Sequence, residues 1–305
     1  MKTARTLLRR STRLVVIAPI VALLYAPTQG MAAPILESDL ASFTVLGGTT
    51  VTNVPTSSIV GNVGVWSGTS ITGFNSVSGN TASDPQVTGG LVHAGTADAQ
   101  SAQGQLTTAR TNLGTLGSGT TLLNPDLTGL TLAPGVYTVP AGTTNLSNLS
   151  GALTLDGQNN ANAAWVFQLP STLISSPNSV VNVINTGSGA GVFWNVGSSA
   201  TIDTNTAFLG NIFALADITM NSGATNSCGR AAADTGAVTL IQNSLSGTCT
   251  GILAGSNGLS GGLDVTDTGV VFLPVTPVPI PGAILLFGSA LAGLLAFRKR
   301  LSLAA

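Results

Sequence analysis

Between Phe193 and Asn243 the chain reads FWNVGSSATIDTNTAFLGNIFALADITMNSGATNSCGRAAADTGAVTLIQN, and three apolar pairs in it, Ala200/Ile202, Ile218/Met220 and Val238/Leu240, follow a period of two. A strand sends successive side chains to opposite faces, so Thr201, Thr219 with Asn221, and Thr239 point away from those pairs. The steps from Thr201 to Thr219 and from Thr219 to Thr239 are 18 and 20 residues, the length of one coil in a protein built of stacked strands. One side of each coil is then core, and another is a flat array of threonines.

On either side of this stretch the same grammar continues. Phe43–Phe74 alternates short Val, Ile and Thr runs with Gly-Gly, Ser-Ser and Ser-Gly punctuation, and from Leu127 onward LTGLTLAPGVYTV, GALTLDGQ, AAWVFQL, SVVNVI and GVFWNV are strands bounded by Gly, Ser, Asn or Pro. Many short strands without intervening helices exclude a βαβ fold. The one helix predicted is His93–Leu116, where Ala102, Leu106, Ala109, Leu113 and Leu116 form a narrow apolar stripe opposite Gln103, Gln105, Thr108 and Arg110. Such a stripe suits packing along the side of a sheet-rich body. Gly79–Gly90 has no periodicity and is expected to be a surface loop or a small cap.

The ends are of a different kind. Residues 1–32 carry Lys2, Arg5, Arg9, Arg10 and Arg13, then LVVIAPIVALLYA and the small-residue exit GMAA, the layout of a secretory signal peptide. The body is expected to span 33–273, with 93–116 as its side helix, followed by a Pro-rich linker at 274–281. Residues 282–305 form an apolar run closed by Arg298-Lys299-Arg300, which is expected to cross a membrane with a basic cytoplasmic stop. With both ends set aside, Arg110 and Arg230 face all 11 carboxylates, and no lysine is left in the body. A surface so poor in cations does not suit nucleic acid, whose binding draws on Lys and Arg. Cys228 and Cys249 in an exported chain are expected to form a disulfide. No metal is expected: the single His93 is distant from both cysteines, and two thiolates do not close a zinc shell. Arg230 is expected to pair with a carboxylate or to cap a coil.

The ordered blocks FTVLGGTTVTN, GNVGV, GTSITGF, HAGTADAQSAQGQLTTARTNL, LTGLTLAPGVYTV, GALTLDGQ, WVFQL, FWNVGSSATI, TAFLGNIFAL, ITMNSGAT, GRAAADTGAVTL resemble the microbial ice-binding (antifreeze) protein family over most of the body. The resemblance implies a right-handed, discontinuous β-helix of triangular section with a long helix alongside, and ice binding on one flat Thr/Ser/Ala-rich face without a cofactor. The Thr-Gly-x-Thr spacing frequent in that family departs here to Ser222-Gly223-Ala224-Thr225, and Thr204-Asn205-Thr206 is irregular. VPIPGAILLFGSALAGLLAFRKR resembles the PEP-CTERM type of sorting tail, linked to exopolysaccharide in Gram-negative bacteria, though it lacks the usual Glu. That resemblance implies a cell-surface or secreted protein with partners in the envelope, the exopolysaccharide and the membrane.

An ice face needs stiff methyl and hydroxyl groups on a rigid grid and no nucleophile. Threonine supplies both groups with little rotamer entropy to lose. The expected ice-binding residues are Thr201, Thr204, Thr206, Thr219, Asn221, Thr225 and Thr239, joined by Thr50, Thr52, Thr69 and Thr72 from the N-terminal coils. An adhesin or matrix protein without ice activity is the alternative, and a polysaccharide-active β-helix enzyme a more distant one. Paired carboxylates across a cleft, which glycosidases need, are not visible among the scattered Asp residues.

Overall fold

The computed structural model describes residues 32–54, 56–140, 152–278 and the backbone of 143–146. The signal-peptide reading, except Ala32, and the whole of the membrane-spanning tail therefore lie outside the described residues. Among those described, no helix is long and apolar enough to cross a membrane.

The fold is mainly β. Each coil adds a strand to neighbours above and below, and the strands pair into a 13-stranded sheet, parallel except for Thr81–Ala82 at its edge, and a parallel 7-stranded sheet, with a 3-stranded parallel sheet beside them. Space and sequence run in different orders. In the large sheet, strands at 120–121, 135–138, 164–169, 191–196, 207–214 and 225–233 are stacked in turn, and the next strand is Phe43–Gly47, followed by Asn62–Val65 and Val92–Ala94. The last coils of the chain thus meet its first ones along a seam. Val45 pairs with Ala231, Thr52 with Thr239, and Ile59 with Leu245.

Large apolar side chains alternate into the stack. Trp165, Phe167, Trp194 and Phe208 are fully buried there, Phe167 lies 4.1 Å from Trp194 in a stacked pair, and the two indoles donate to the carbonyls of Leu132 and Leu209. The 8-residue strand Ala207–Ala214 turns a corner of the coil through Gly210, whose φ of +104° admits no ordinary side chain; the register slips between Phe208 and Gly210, as at a β-bulge.

Among the described residues two α-helices are present, against one expected: α1, Ser38–Ser42, and α2, Ala97–Thr115. The long helix starts four residues later than its apolar stripe predicted. Gly95 at φ +72° ends the strand Val92–Ala94, and the Thr96 side chain caps the helix by accepting from Ala99 N–H. Ala102, Leu106, Ala109 and Leu113 are buried against Phe43, Leu46, Val166, Phe193 and Phe213 on the outer face of the large sheet, so that part of the sheet is covered on both sides. Gln103, read from the sequence as lying on the solvent face, is buried and donates to the carbonyls of Ala233 and Asp234. Arg110 bonds Asp234 at 2.7 Å. Gln103 and Arg110 are therefore latches to the sheet side, while Gln105 holds α1 through Leu40 and Asp39.

His93 lies on the strand that enters this helix. It is 5% exposed, its ring meets Phe43 edge to face, and Nδ1 sits 3.6 Å from Asp98. Burial lowers its pKa below the ordinary 6.5, outweighing the pull of Asp98. The unfolded chain, with the higher value, takes up the proton first, so this group's contribution to stability is complete above pH 6.5 and declines as pH falls below it. Melting curves across that range should show an acid-side loss that His93→Gln lacks; parallel curves for parent and variant would remove His93 as the cause.

The expected disulfide is present: Cys228 and Cys249 are joined across a separation of 21 residues. Replacing both with Ser should cost about 3 kcal/mol in chemical denaturation by loop-closure entropy. An unchanged midpoint would show that the bridge does not restrain the unfolded chain.

The end of the body is paired, and the start of the Pro-rich linker expected at 274–281 is tied to it. Leu263–Thr266 and Gly269–Phe272 form an antiparallel pair that also takes up Ala33–Pro34. Beyond it, Thr276 and Val278 bond Ala161, Asn160 and Asn159 through their main chains. Pro residues remove donors but leave these alternate positions free to pair.

Candidate functional site

The seven-stranded sheet runs Thr143–Leu146, Thr172–Ser175, Ala200–Ile202, Ile218–Met220, Val238–Leu240, Thr50–Asn53, Ser70–Thr72. Each three-residue strand at 200, 218 and 238 shows buried, half-buried, buried alternation, because two apolar residues turn inward and the threonine between them turns out. The outward residues align. Thr201 is opposite Thr219, Thr219 opposite Thr239, Thr239 opposite Thr52, and Thr52 opposite Thr72. Five threonines thus stand in one row, which crosses the seam without a break in register.

Neighbours in such a row are about 4.8 Å apart, and the next outward position along a strand is about 6.7 Å away. That second position holds Thr50 beside Ser70. No side-chain hydrogen bond to a described residue engages the hydroxyls of Thr50, Thr52, Thr72, Thr201, Thr219 or Thr239. Elsewhere threonines spend theirs on the main chain, as Thr44 does on Val60 O at 2.6 Å and Thr235 on Leu215 O at 2.6 Å. The row therefore presents methyls and uncommitted hydroxyls on a stiff, β-branched scaffold.

Charge is confined to the margins. Asp203 follows the Thr201 strand and accepts from Asn221 Nδ2 at 2.9 Å and Thr204 N at 2.7 Å; these bonds hold its pKa below the ordinary carboxylate value, the Asn221 bond contributing most. Asp217, at the other end of its strand, accepts from Ala237 N at 2.7 Å. Ile241 and Val54 follow the strands at 238 and 50, so that margin is partly apolar.

The remaining sequence-predicted residues are dispersed. Asn221 is half-buried at the strand end, committed to Asp203. Thr204 bonds Asp203 in a turn, and Thr69 is exposed just before the Ser70 strand. Thr225 lies in the strand Thr225–Ala233, opposite Ala207 and Ser244 on a neighbouring side of the coil. Thr206 is corrected outright: it is 0% exposed, with its hydroxyl against Ser175 Oγ at 3.0 Å and Ser176 O at 3.1 Å, and cannot touch a surface ligand. The turn at Asn205, with φ +55°, reverses the alternation that the threonine spacing implied. The Ser222–Thr225 segment is likewise a corner, with Gly223 at φ +73°. One outward pair escaped the sequence reading: Thr172 and Ile174, of which Ile174 continues the row next to Thr201. Its signal was the alternation of Leu173 and Ser175 inward, masked by a serine in a core position.

Among the described residues Arg230 lacks the carboxylate partner that was one of its two expected roles. It is fully buried, and its guanidinium donates to Asn211 Oδ1 at 2.8 Å, Asn257 Oδ1 at 2.7 Å, Asn257 O at 3.1 Å and Ala41 O at 2.6 Å, with no carboxylate among them. Burial lowers its pKa to about 10. It ties the last coil to the N-terminal segment at the seam.

The profile of the family described as Ice-binding-like matches residues 45–246 of this chain. The chain is 40% identical over 246 residues to the ice-binding protein of Nostoc sp. (strain HG1), covering 80% of this chain and 86% of that one. It superposes on an ice-binding protein from an Antarctic biological consortium with a TM-score of 0.60 at 32% identity, over 70% of this chain and 91% of the other. It superposes on a domain of Shewanella frigidimarina ice-binding protein 1 with a TM-score of 0.61 at 27% identity, over 72% of this chain and 98% of that domain.

Proposed function

Because the chain belongs to the Ice-binding-like family, we propose that it meets ice through the outer face of its seven-stranded sheet, where Thr201, Thr219, Thr239, Thr52 and Thr72 form the contact row and Thr50 flanks it. The protein is an ice binder, and the observation that carries the choice of face is the in-register threonine row whose hydroxyls no described residue claims. Free hydroxyls and methyls at fixed spacing can order a layer of water without the strong hydration shell that charges hold. The covering of the large sheet by α2 around Phe43, Phe193 and Phe213 removes that part of its outer face from contact. Thr69, Thr204 and Asn221 stand at the margins of the contact and contribute less, and Thr225 lies on a neighbouring side of the coil.

The stacked coils support a right-handed β-helix of triangular section. Ice growth and recrystallisation are inhibited when such a rigid face adsorbs to the crystal. The basic, apolar and small-residue order of residues 1–32 supports export, and the apolar run with its basic end in 282–305 supports a sorting or anchoring tail that keeps the ice binder at the cell surface.

Recombinant residues 33–275 should show thermal hysteresis and recrystallisation inhibition. Finding neither, together with binding to an extracellular polysaccharide, would favour the matrix-protein alternative.

A further inference from the structure

The sequence contains a single Asn-Gly pair, Asn257-Gly258, and the fold sets it against the buried guanidinium of Arg230. We propose that Asn257 is a self-modification site, converted in the folded protein to aspartate through a cyclic imide formed with the Gly258 nitrogen while Arg230 polarises the Asn257 side-chain carbonyl.

Four features converge there. Asn257 Oδ1 accepts from Arg230 Nη2 at 2.7 Å, so the atom that becomes negative when Cγ is attacked already holds a cationic donor. The Gly258 N–H and the Asn257 amide nitrogen, the attacking and leaving groups, make no hydrogen bond to the described residues. Gly258 cannot carry a side chain: its φ is +63°, and a Cβ would lie 2.6 Å from Arg230 Nη1 and 3.0 Å from Gly247 O. Asn257 is exposed, so water reaches it.

The chemistry balances without an oxidant or an external catalyst. The Gly258 nitrogen forms a bond to Asn257 Cγ, and the negative charge on Oδ1 is held by Nη2–H. The Cγ–Nδ2 bond then breaks, and ammonia leaves with the proton given up by Gly258. Water adds to Cγ, the Cγ–N bond opens, the proton returns to the Gly258 nitrogen, and a carboxylate remains. Opening at the main-chain carbonyl would give isoaspartate instead. The main-chain oxygen is the more weakly polarised, with Nη1 at 3.1 Å, so aspartate is the favoured product. The new carboxylate faces a guanidinium that has no anionic partner, which favours the products and tightens the seam between the last and first coils.

The test incubates the full chain, native or unfolded in urea with its disulfide intact, at mildly alkaline pH and follows position 257 by peptide mapping and mass spectrometry. The native chain should gain the acid roughly a hundredfold faster than the unfolded one, as expected for one aligned donor, and the product should be aspartate. Equal or slower conversion in the native chain, or isoaspartate as the main product, overturns the proposal. Independently, Asn257→Asp should raise Tm by about 3 °C or more; an unchanged or lower Tm overturns the claim that the fold favours the acid.

Discussion

Thr219→Tyr should reduce thermal hysteresis to roughly a tenth of the parent value or less, since a central contact surrounded by neighbours dominates a recognition surface. Thr219 lies inside the row of five in-register threonines, with Thr201 and Thr239 on either side. A phenol there would stand proud of the plane and lift both neighbours off the crystal. The side chain faces outward between buried Ile218 and Met220, so the core is untouched and Tm should stay within about 1 °C, as for an ordinary surface substitution. The same substitution at Thr225, on a neighbouring side of the coil, is the control and should leave activity near the parent value. Full activity in Thr219→Tyr with loss in Thr225→Tyr would move the ice face off the seven-stranded sheet.

The largest effect on stability is expected at Arg230. Replacing it with Met keeps much of the volume and removes the desolvated charge, but Asn211 Oδ1 and Ala41 O lose their donor. Unsatisfied acceptors of this kind cost about 2 kcal/mol each, or about 4 kcal/mol in all. For a body of this size that lowers Tm by roughly 8–16 °C. Arg230→Lys should do little better, because an ammonium cannot reproduce the fork that reaches Asn211, Asn257 and Ala41 together. A Tm within a degree or two of the parent for both variants would show that water replaces the guanidinium without loss.

The strands around Thr201, Thr219 and Thr239 were legible because both faces carry an unmixed signal, apolar inward and hydroxyl outward. Thr206 was not. Its neighbourhood is as rich in threonine as the row itself, and only the left-handed turn at Asn205 decides that its hydroxyl goes inward to Ser175. Gln103 and Arg110 misled in the opposite sense: a polar residue on a helix reads as solvated unless a carbonyl or carboxylate from a distant strand receives it, and Ala233 and Asp234 lie more than a hundred residues away. The extent of the threonine row was hidden for the same reason. Thr239 and Thr52 are adjacent because coils stack out of sequence order, and no local period records that. Gly95 and Thr96 did carry the true start of the helix, as a breaker followed by a cap, but the apolar stripe drew the boundary earlier.

The out-of-order stack also governs how the molecule is made. Phe43–Gly47 leaves the ribosome early, yet its partner strand Thr225–Ala233 is synthesised only after the rest of the stack has been laid down from the opposite end. The earliest coils must wait with one edge unsatisfied, and the chain carries the high contact order that makes folding slow. Closure of that edge is the step at which the two short threonine files, one from each end of the polypeptide, become the single row proposed to meet ice. Nascent chains released before Ala233 would hold the pieces of an ice binder without its plane.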